Sequence, residues 1–191
     1  MKKYFVLFIF TFLFLNGLLT AKEPGDIVEN FSVKNFDGNV YSPGDLKDSK
    51  ALVVIFWSTQ CPFVQAYNDR INDLVSAYQQ KGFVFWMMNS NTTEAASEVE
   101  THSKSNKYVF PVLKDENSVV ADLFGATRTP EVFVLNQNRV ILYHGRIDDN
   151  KNKLEVTSHD LENALNDIAG GKEVTVKNTK QFGCTIKRNE K

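Results

Sequence analysis

The sequence predicts an α/β domain built on one mixed sheet, and three features predict it. Two apolar runs without alternation, Ala51–Trp57 and Phe83–Met88, read as central strands covered on both faces. Between them Phe63, Tyr67, Ile71, Leu74, Val75 and Tyr78 fall at helical spacing, so these strands are joined through a helix and run parallel. Farther on, only Asn136 to Arg139 separate Glu131–Leu135 from Val140–Tyr143, which implies an antiparallel hairpin. Parallel and antiparallel pairs in one chain make the sheet mixed, with helices flanking it.

Residues 1–21 stand apart from this domain. Lys2 and Lys3 precede an apolar run from Tyr4 to Leu15, continuing through Leu18 and Leu19 to Thr20-Ala21. That order of charge, apolar core and small residues is that of a secretory signal peptide, with cleavage after Ala21. A retained membrane anchor is the alternative, because about 17 mostly apolar residues is near the lower limit for a span. Both readings export the rest of the chain, either free in the periplasm or anchored and facing it.

The domain is expected over residues 22–170, followed by a tail, 171–191. Phe31–Phe36 reads as a strand that turns at Asp37-Gly38. The long helix after Ala51–Trp57 admits Pro62 in its first turn and closes at Gly82. Phe83–Met88 leads to a weaker, mostly polar helix from Glu94 to Lys104, and Val119, Val120, Leu123 and Phe124 mark a short helix ending at Gly125. After the hairpin, Leu161, Ala164, Leu165 and Ile168 define a last helix, with Ser158 or Asp160 as cap and Gly170-Gly171 as stop. Asp148 and Asp149 are expected to shape a turn. The tail is polar apart from Val174, Val176, Phe182 and Ile186.

Composition narrows the function. A hydrophobic content of 42% excludes a disordered chain, and a net charge of -1 (-3 once Lys2 and Lys3 are removed) excludes a general nucleic-acid binder. Two cysteines cannot build a disulfide-dense scaffold or a four-cysteine zinc site. His102, His144 and His159 show no paired spacing with one another or with Cys61, so neither a metal site nor a cofactor is expected. In an exported chain an even cysteine pair is by default a structural bridge.

Cys61 unsettles that default. It lies where the central strand gives way to the helix, in Phe56-Trp57-Ser58-Thr59-Gln60-Cys61-Pro62-Phe63-Val64. A thiol at a helix start faces unpaired backbone N–H groups and the positive dipole end, which stabilise the nucleophilic thiolate. A buried inert cysteine is the alternative.

This stretch resembles the Phe-Trp-Ala-x-Trp-Cys-x-x-Cys segment of thioredoxin-like proteins, with Cys61 at the first cysteine. Thr129-Pro130, just before the hairpin, resembles the cis-proline loop of that fold, and the likeness covers residues 26 to 170. It narrows to redoxins related to peroxiredoxins and alkyl hydroperoxide reductases through Cys61-Pro62-Phe63-Val64, Tyr143-His144-Gly145-Arg146-Ile147-Asp148-Asp149 and Phe182-Gly183-Cys184-Thr185-Ile186-Lys187. The resemblance implies a thioredoxin-like fold and an exported thiol oxidoreductase. In it Cys61 is the nucleophile and Cys184 the resolving thiol, with a substrate groove of Trp57, Ser58, Pro62, Arg128, Thr129 and Pro130. The partners implied are a protein disulfide or thiol, or a peroxide, and an external thiol reductant; a membrane enters only if residues 1–21 are retained.

The departures matter as much. Val64 occupies the second position of the Cys-x-x-Cys pair, so the usual neighbouring disulfide cannot form. Ile55 stands where thioredoxin has a buried aspartate, and Val54 replaces the proline of the peroxiredoxin motif while Ser58 fits its hydroxyl position. A mobile tail would carry Cys184 to Cys61. A permanent bridge, stabilising the fold by about 4–5 kcal/mol, is the structural alternative. Both require Cα atoms within about 4.4–6.8 Å. Val64 and Ile55 also motivate a competing function, a catalytically silent binding module that keeps the groove.

Overall fold

The computed structural model describes residues 21–189, so the expected leader lies outside the described residues except for Ala21. Among the described residues, no helix is long and apolar enough to cross a membrane. Along the chain come β1 (Val33–Lys34), β2 (Val40–Tyr41), β3 (Ala51–Trp57), α1 (Pro62–Gln65), α2 (Asn68–Gln79) and β4 (Phe83–Asn89). They are followed by α3 (Ala96–Ser105), β5 (Val112–Lys114), α4 (Val119–Phe124), β6 (Arg128–Thr129), β7 (Glu131–Leu135), β8 (Ile141–Gly145), α5 (Asp160–Ala169) and β9 (Cys184–Thr185).

Five strands form the central sheet in the order β5-β4-β3-β7-β8. β3 pairs parallel with β4 and antiparallel with β7, which makes the sheet mixed. Every residue of β3 is buried, as a strand covered on both faces requires. Its side chains alternate between two cores. Val53, Ile55 and Trp57 join the cluster containing Val64, Tyr67 and Ile71 from the helices after β3 and Leu161 and Leu165 from α5. Leu52, Val54 and Phe56 join the opposite cluster with Val120, Ala121 and Phe124 of α4.

The sheet and the helices end where their local chemistry dictates. Gly125 caps α4 in the left-handed region at φ +66°, a conformation glycine adopts without a Cβ penalty. The N-cap of α5 is His159 rather than Ser158 or Asp160, and the Ser158 hydroxyl donates to Asp160 instead. The 112–114 strand, short and placed just after Pro111, carries no alternation by which the sequence announces it.

The helix after β3 is not continuous. α1 is a single turn, and the chain breaks at Ala66-Tyr67, where Tyr67 N–H bonds the Val64 carbonyl. Arg70 stabilises the break by donating to the freed Ala66 carbonyl at 3.0 Å. The guanidinium is in turn ion-paired with buried Asp148, which also accepts from the Tyr67 hydroxyl at 2.7 Å. Burial and this bond to Asp148 push the Tyr67 hydroxyl's pKa upward. Asp148 is thus a core anchor, whereas Asp149 shapes the loop by accepting from Thr157 N at 2.9 Å.

Candidate active site

Cys61 is the N-cap of α1, at the end of the loop that leaves β3. A one-turn helix carries little macrodipole, so the help expected from a long helix reduces to the N–H groups of its first turn. Cys61 is 2% exposed, and its sulfur lies 3.2 Å from the Thr129 carbonyl oxygen. The Thr129-Pro130 peptide is cis, and Pro130 leads directly into β7. The strand end and the proline loop, 68 residues apart in sequence, therefore meet at the thiol.

Cys184 is there too. It is disulfide-bonded to Cys61 across 123 residues, with Cα atoms 6.0 Å apart. In this oxidised state the tail reaches that position as a strap tied down at several points along the domain. Backbone bonds tie His144 to Lys177 and Thr179, and Gln181 donates to Glu131 at 3.1 Å. β9 then pairs antiparallel with β6, setting Cys184 opposite Thr129. Beyond it, Lys187 N donates to the Asn91 side chain at 2.7 Å, and Arg188 bonds Asp122 at 2.7 Å. Hydrogen bonds hold the segment together with the buried side chains of Val174 and Ile186, and so few scattered apolar residues make no periodic pattern that would reveal it.

The groove residues named from the sequence fall into two groups. Pro62 and Arg128 are exposed, while Thr129 and Pro130 are buried under the strap. Arg128 turns its guanidinium to the Gly183 carbonyl and the Thr185 hydroxyl rather than to the Cys61 sulfur. Trp57 is 0% exposed, its ring edge-on to His102 at 5.0 Å and Tyr108 at 6.0 Å, so it supports the cysteine loop from beneath and has no surface to offer a substrate. Burial lowers the His102 pKa despite the opposing charge of Glu94.

Ser58 serves a residue that the sequence does not mark as functional. Its hydroxyl donates to Glu94 at 2.5 Å. The same carboxylate accepts from Thr59 N and Oγ1, each at 2.7 Å, and from the Asn89 and Asn91 amides at 2.6 and 2.9 Å. Glu94 is 2% exposed, and it fixes the Ser58-Thr59 turn two residues before Cys61. Glu131 does the same for the proline loop, accepting from Thr127 N and Arg128 N at 2.8 Å each and pairing with His144 at 2.8 Å. The one available signal is a buried-type acid next to a motif, and Glu131 after Pro130 carries it better than Glu94.

Comparison with known proteins places this geometry. The chain is 24% identical over 147 residues to "Thiol-disulfide oxidoreductase ResA" of Bacillus thuringiensis, covering 75% of this chain and 83% of that protein. A hypothetical protein from Sinorhizobium meliloti 1021 superposes with a TM-score of 0.83 at 31% identity, over 90% of this chain and 98% of that one. The thioredoxin domain of a thiol-disulfide oxidoreductase from Bacteroides vulgatus superposes with a TM-score of 0.58 at 15% identity, over 65% and 89% of the two chains, and shows that the fold is thioredoxin-like. Residues 24–144 match the AhpC/TSA family, whereas Cys184 lies beyond the matched stretch. Because that match covers more than half of the chain, running from before β1 into β8 and taking in Cys61, the chain belongs to the AhpC/TSA family.

Proposed function

We propose that this chain is an exported thiol-disulfide oxidoreductase in which Cys61 attacks and Cys184 resolves. The observation that supports it most is the disulfide between a cysteine at the end of β3, beside a cis-proline loop, and a tail cysteine outside the family match. In the reduced protein the Cys61 thiolate attacks one sulfur of a substrate disulfide, and the other substrate sulfur leaves as thiolate. Cys184 then attacks the Cys61 sulfur, releasing the substrate as a thiol and closing the Cys61–Cys184 bond. Two electrons pass to the substrate, and an external thiol reductant returns them. Export rests on the signal-like order of residues 1–21.

Disulfide exchange is favoured over peroxide reduction. The ResA relatives are named for the former, and the Arg128 guanidinium, a cation that could support a peroxide, bonds the tail instead of facing the Cys61 sulfur. The competing binding-module reading draws on the strap itself, which makes the disulfide a staple for a tail already held on both sides. Stopped-flow oxidation of reduced protein, wild type and Cys61→Ser, by a small disulfide and by hydrogen peroxide tests the reading. A Cys61-dependent reaction with the disulfide, and a peroxide rate no faster than that of a free thiol, is the expected result. A fast Cys61-dependent peroxide reaction overturns the preference for exchange, and no Cys61-dependent reaction with either oxidant overturns the reading as a whole.

A further inference from the structure

The strap crosses Cys61 with its backbone pressed onto the proline loop. Phe182 meets Phe63 edge-on at 6.0 Å, Cys184 pairs opposite Thr129, and Ile186, 3% exposed, joins the apolar cluster that includes Phe124 and Ala126. Gly183 makes the fit possible. Its φ is +147°, and a Cβ there would stand 2.1 Å from the Thr129 carbonyl oxygen and 2.8 Å from the carbonyl carbon. Both obstacles are backbone, so neither moves aside as a side chain would. Only glycine allows the two backbone segments this close.

The same strap shuts the site. Cys61 is 2% exposed beneath it, and among the described residues the ladder partner of β6 is β9. When the strap lifts, the flank of β6 beside the Cys61 sulfur becomes an open strand edge, the kind of surface to which an extended chain adds. A substrate bringing a sulfur to Cys61 has to use the seat that the strap vacates. We infer that the strap is an internal mimic of the substrate, and that the groove takes an extended protein disulfide whose reacting half-cystine follows a glycine.

The inference rests on the reading of Cys61 as nucleophile. The Cys61 thiolate attacks the half-cystine after the glycine, forming the Cys61–substrate bond, and the substrate's other sulfur leaves and takes a proton from water. Cys184 then displaces the substrate cysteine as thiolate, and the strap reseats as the Cys61–Cys184 bond closes. The protein dithiol supplies both electrons.

The test uses the full chain carrying Cys184→Ser, reduced, with Cys61 as its sole thiol. Peptides Phe-Gly-Cys-Thr-Ile and Phe-Ala-Cys-Thr-Ile, each coupled through its cysteine to 2-nitro-5-thiobenzoate, report reaction by release of the chromophore. The symmetrical disulfide of that chromophore serves as the small control. The glycine peptide is expected to react at least about tenfold faster than the alanine peptide, as an overpacked methyl group requires. Adding Gly183→Ala to the Cys184→Ser chain is expected to unseat the strap and speed the control reagent. Equal peptide rates, or a faster alanine peptide, overturn the substrate inference, and so does a control rate unaltered by Gly183→Ala. Silence of the control reagent in both chains overturns instead the reading of Cys61 as nucleophile.

Discussion

Replacing Glu94 by glutamine tests how the cysteine loop is held. The carboxylate receives five hydrogen bonds: Ser58 Oγ and Asn91 Nδ2 reach Oε1, and Thr59 N, Thr59 Oγ1 and Asn89 Nδ2 reach Oε2. Every partner is a donor, so an amide nitrogen placed at either oxygen faces a donor. At the Oε2 position it opposes the Thr59 backbone N–H, which cannot turn. At the Oε1 position the Ser58 hydroxyl can rotate to accept, but the Asn91 amide cannot flip freely because its Oδ1 already accepts from Lys187 N at 2.7 Å. The second placement costs less and leaves one buried donor unpaired, about 1–3 kcal/mol, while the remaining bonds lose their charge assistance. Together these give a loss of about 2–4 kcal/mol and a fall in melting midpoint of roughly 5–15 °C. Urea and thermal unfolding of Glu94→Gln measure it, with exposed Asp48→Asn as a control that moves stability by no more than about 0.5 kcal/mol. Cys61 reactivity toward a small disulfide should change as well, because Ser58 and Thr59 lead into it. A loss under about 1 kcal/mol with unchanged Cys61 reactivity would refute the assignment of Glu94 as the anchor of the loop.

Two more consequences can be measured directly. Cys184→Ser opens a link spanning 123 residues, and the loop-closure entropy restored to the unfolded chain lowers stability by about 5 kcal/mol. Urea unfolding against the oxidised wild type checks it, and a difference below about 1 kcal/mol would refute the estimate. Asp149 is held down to about 2 from 3.8, first by the Thr157 hydroxyl and then by backbone N–H groups of Thr157 and Ser158. A folded pKa below the unfolded one means that its contribution is present above about 4 and is lost as pH falls through about 2. An NMR titration of the Asp149 carboxyl should centre near that value and return toward 3.8 in Thr157→Val.

How much of this was legible follows from where each interaction lies along the chain. β3, β4 and the β7–β8 hairpin are local patterns of apolar residues, and their partners follow from connection length. The α1–α2 break is not local. It depends on Arg70 meeting Asp148, 78 residues later, while the hydrophobic spacing from Phe63 to Tyr78 runs on as if the helix were whole. Glu94 escapes for the same reason, since Ser58 and Thr59 lie 36 and 35 residues before it and the helix it precedes reads as polar surface. The course of the tail is equally hidden, because pairing to β6 and side-chain bonds to Glu131, Asn91 and Asp122 lay it down, all with residues far back along the chain. Gly183 stood in the sequence beside Cys184, but only the approach to Thr129 explains why it is glycine.

Whether Cys61 and Cys184 exchange electrons with a partner is read from the reduction potential of their disulfide. The protein is equilibrated in dithiothreitol and glutathione buffers of graded potential, quenched with an alkylating reagent, and its oxidised fraction is read by mass. A pair that exchanges electrons has a midpoint above about -300 mV, within reach of cellular thiol reductants. A midpoint below that value would mark the pair as a structural staple and contradict the exchange.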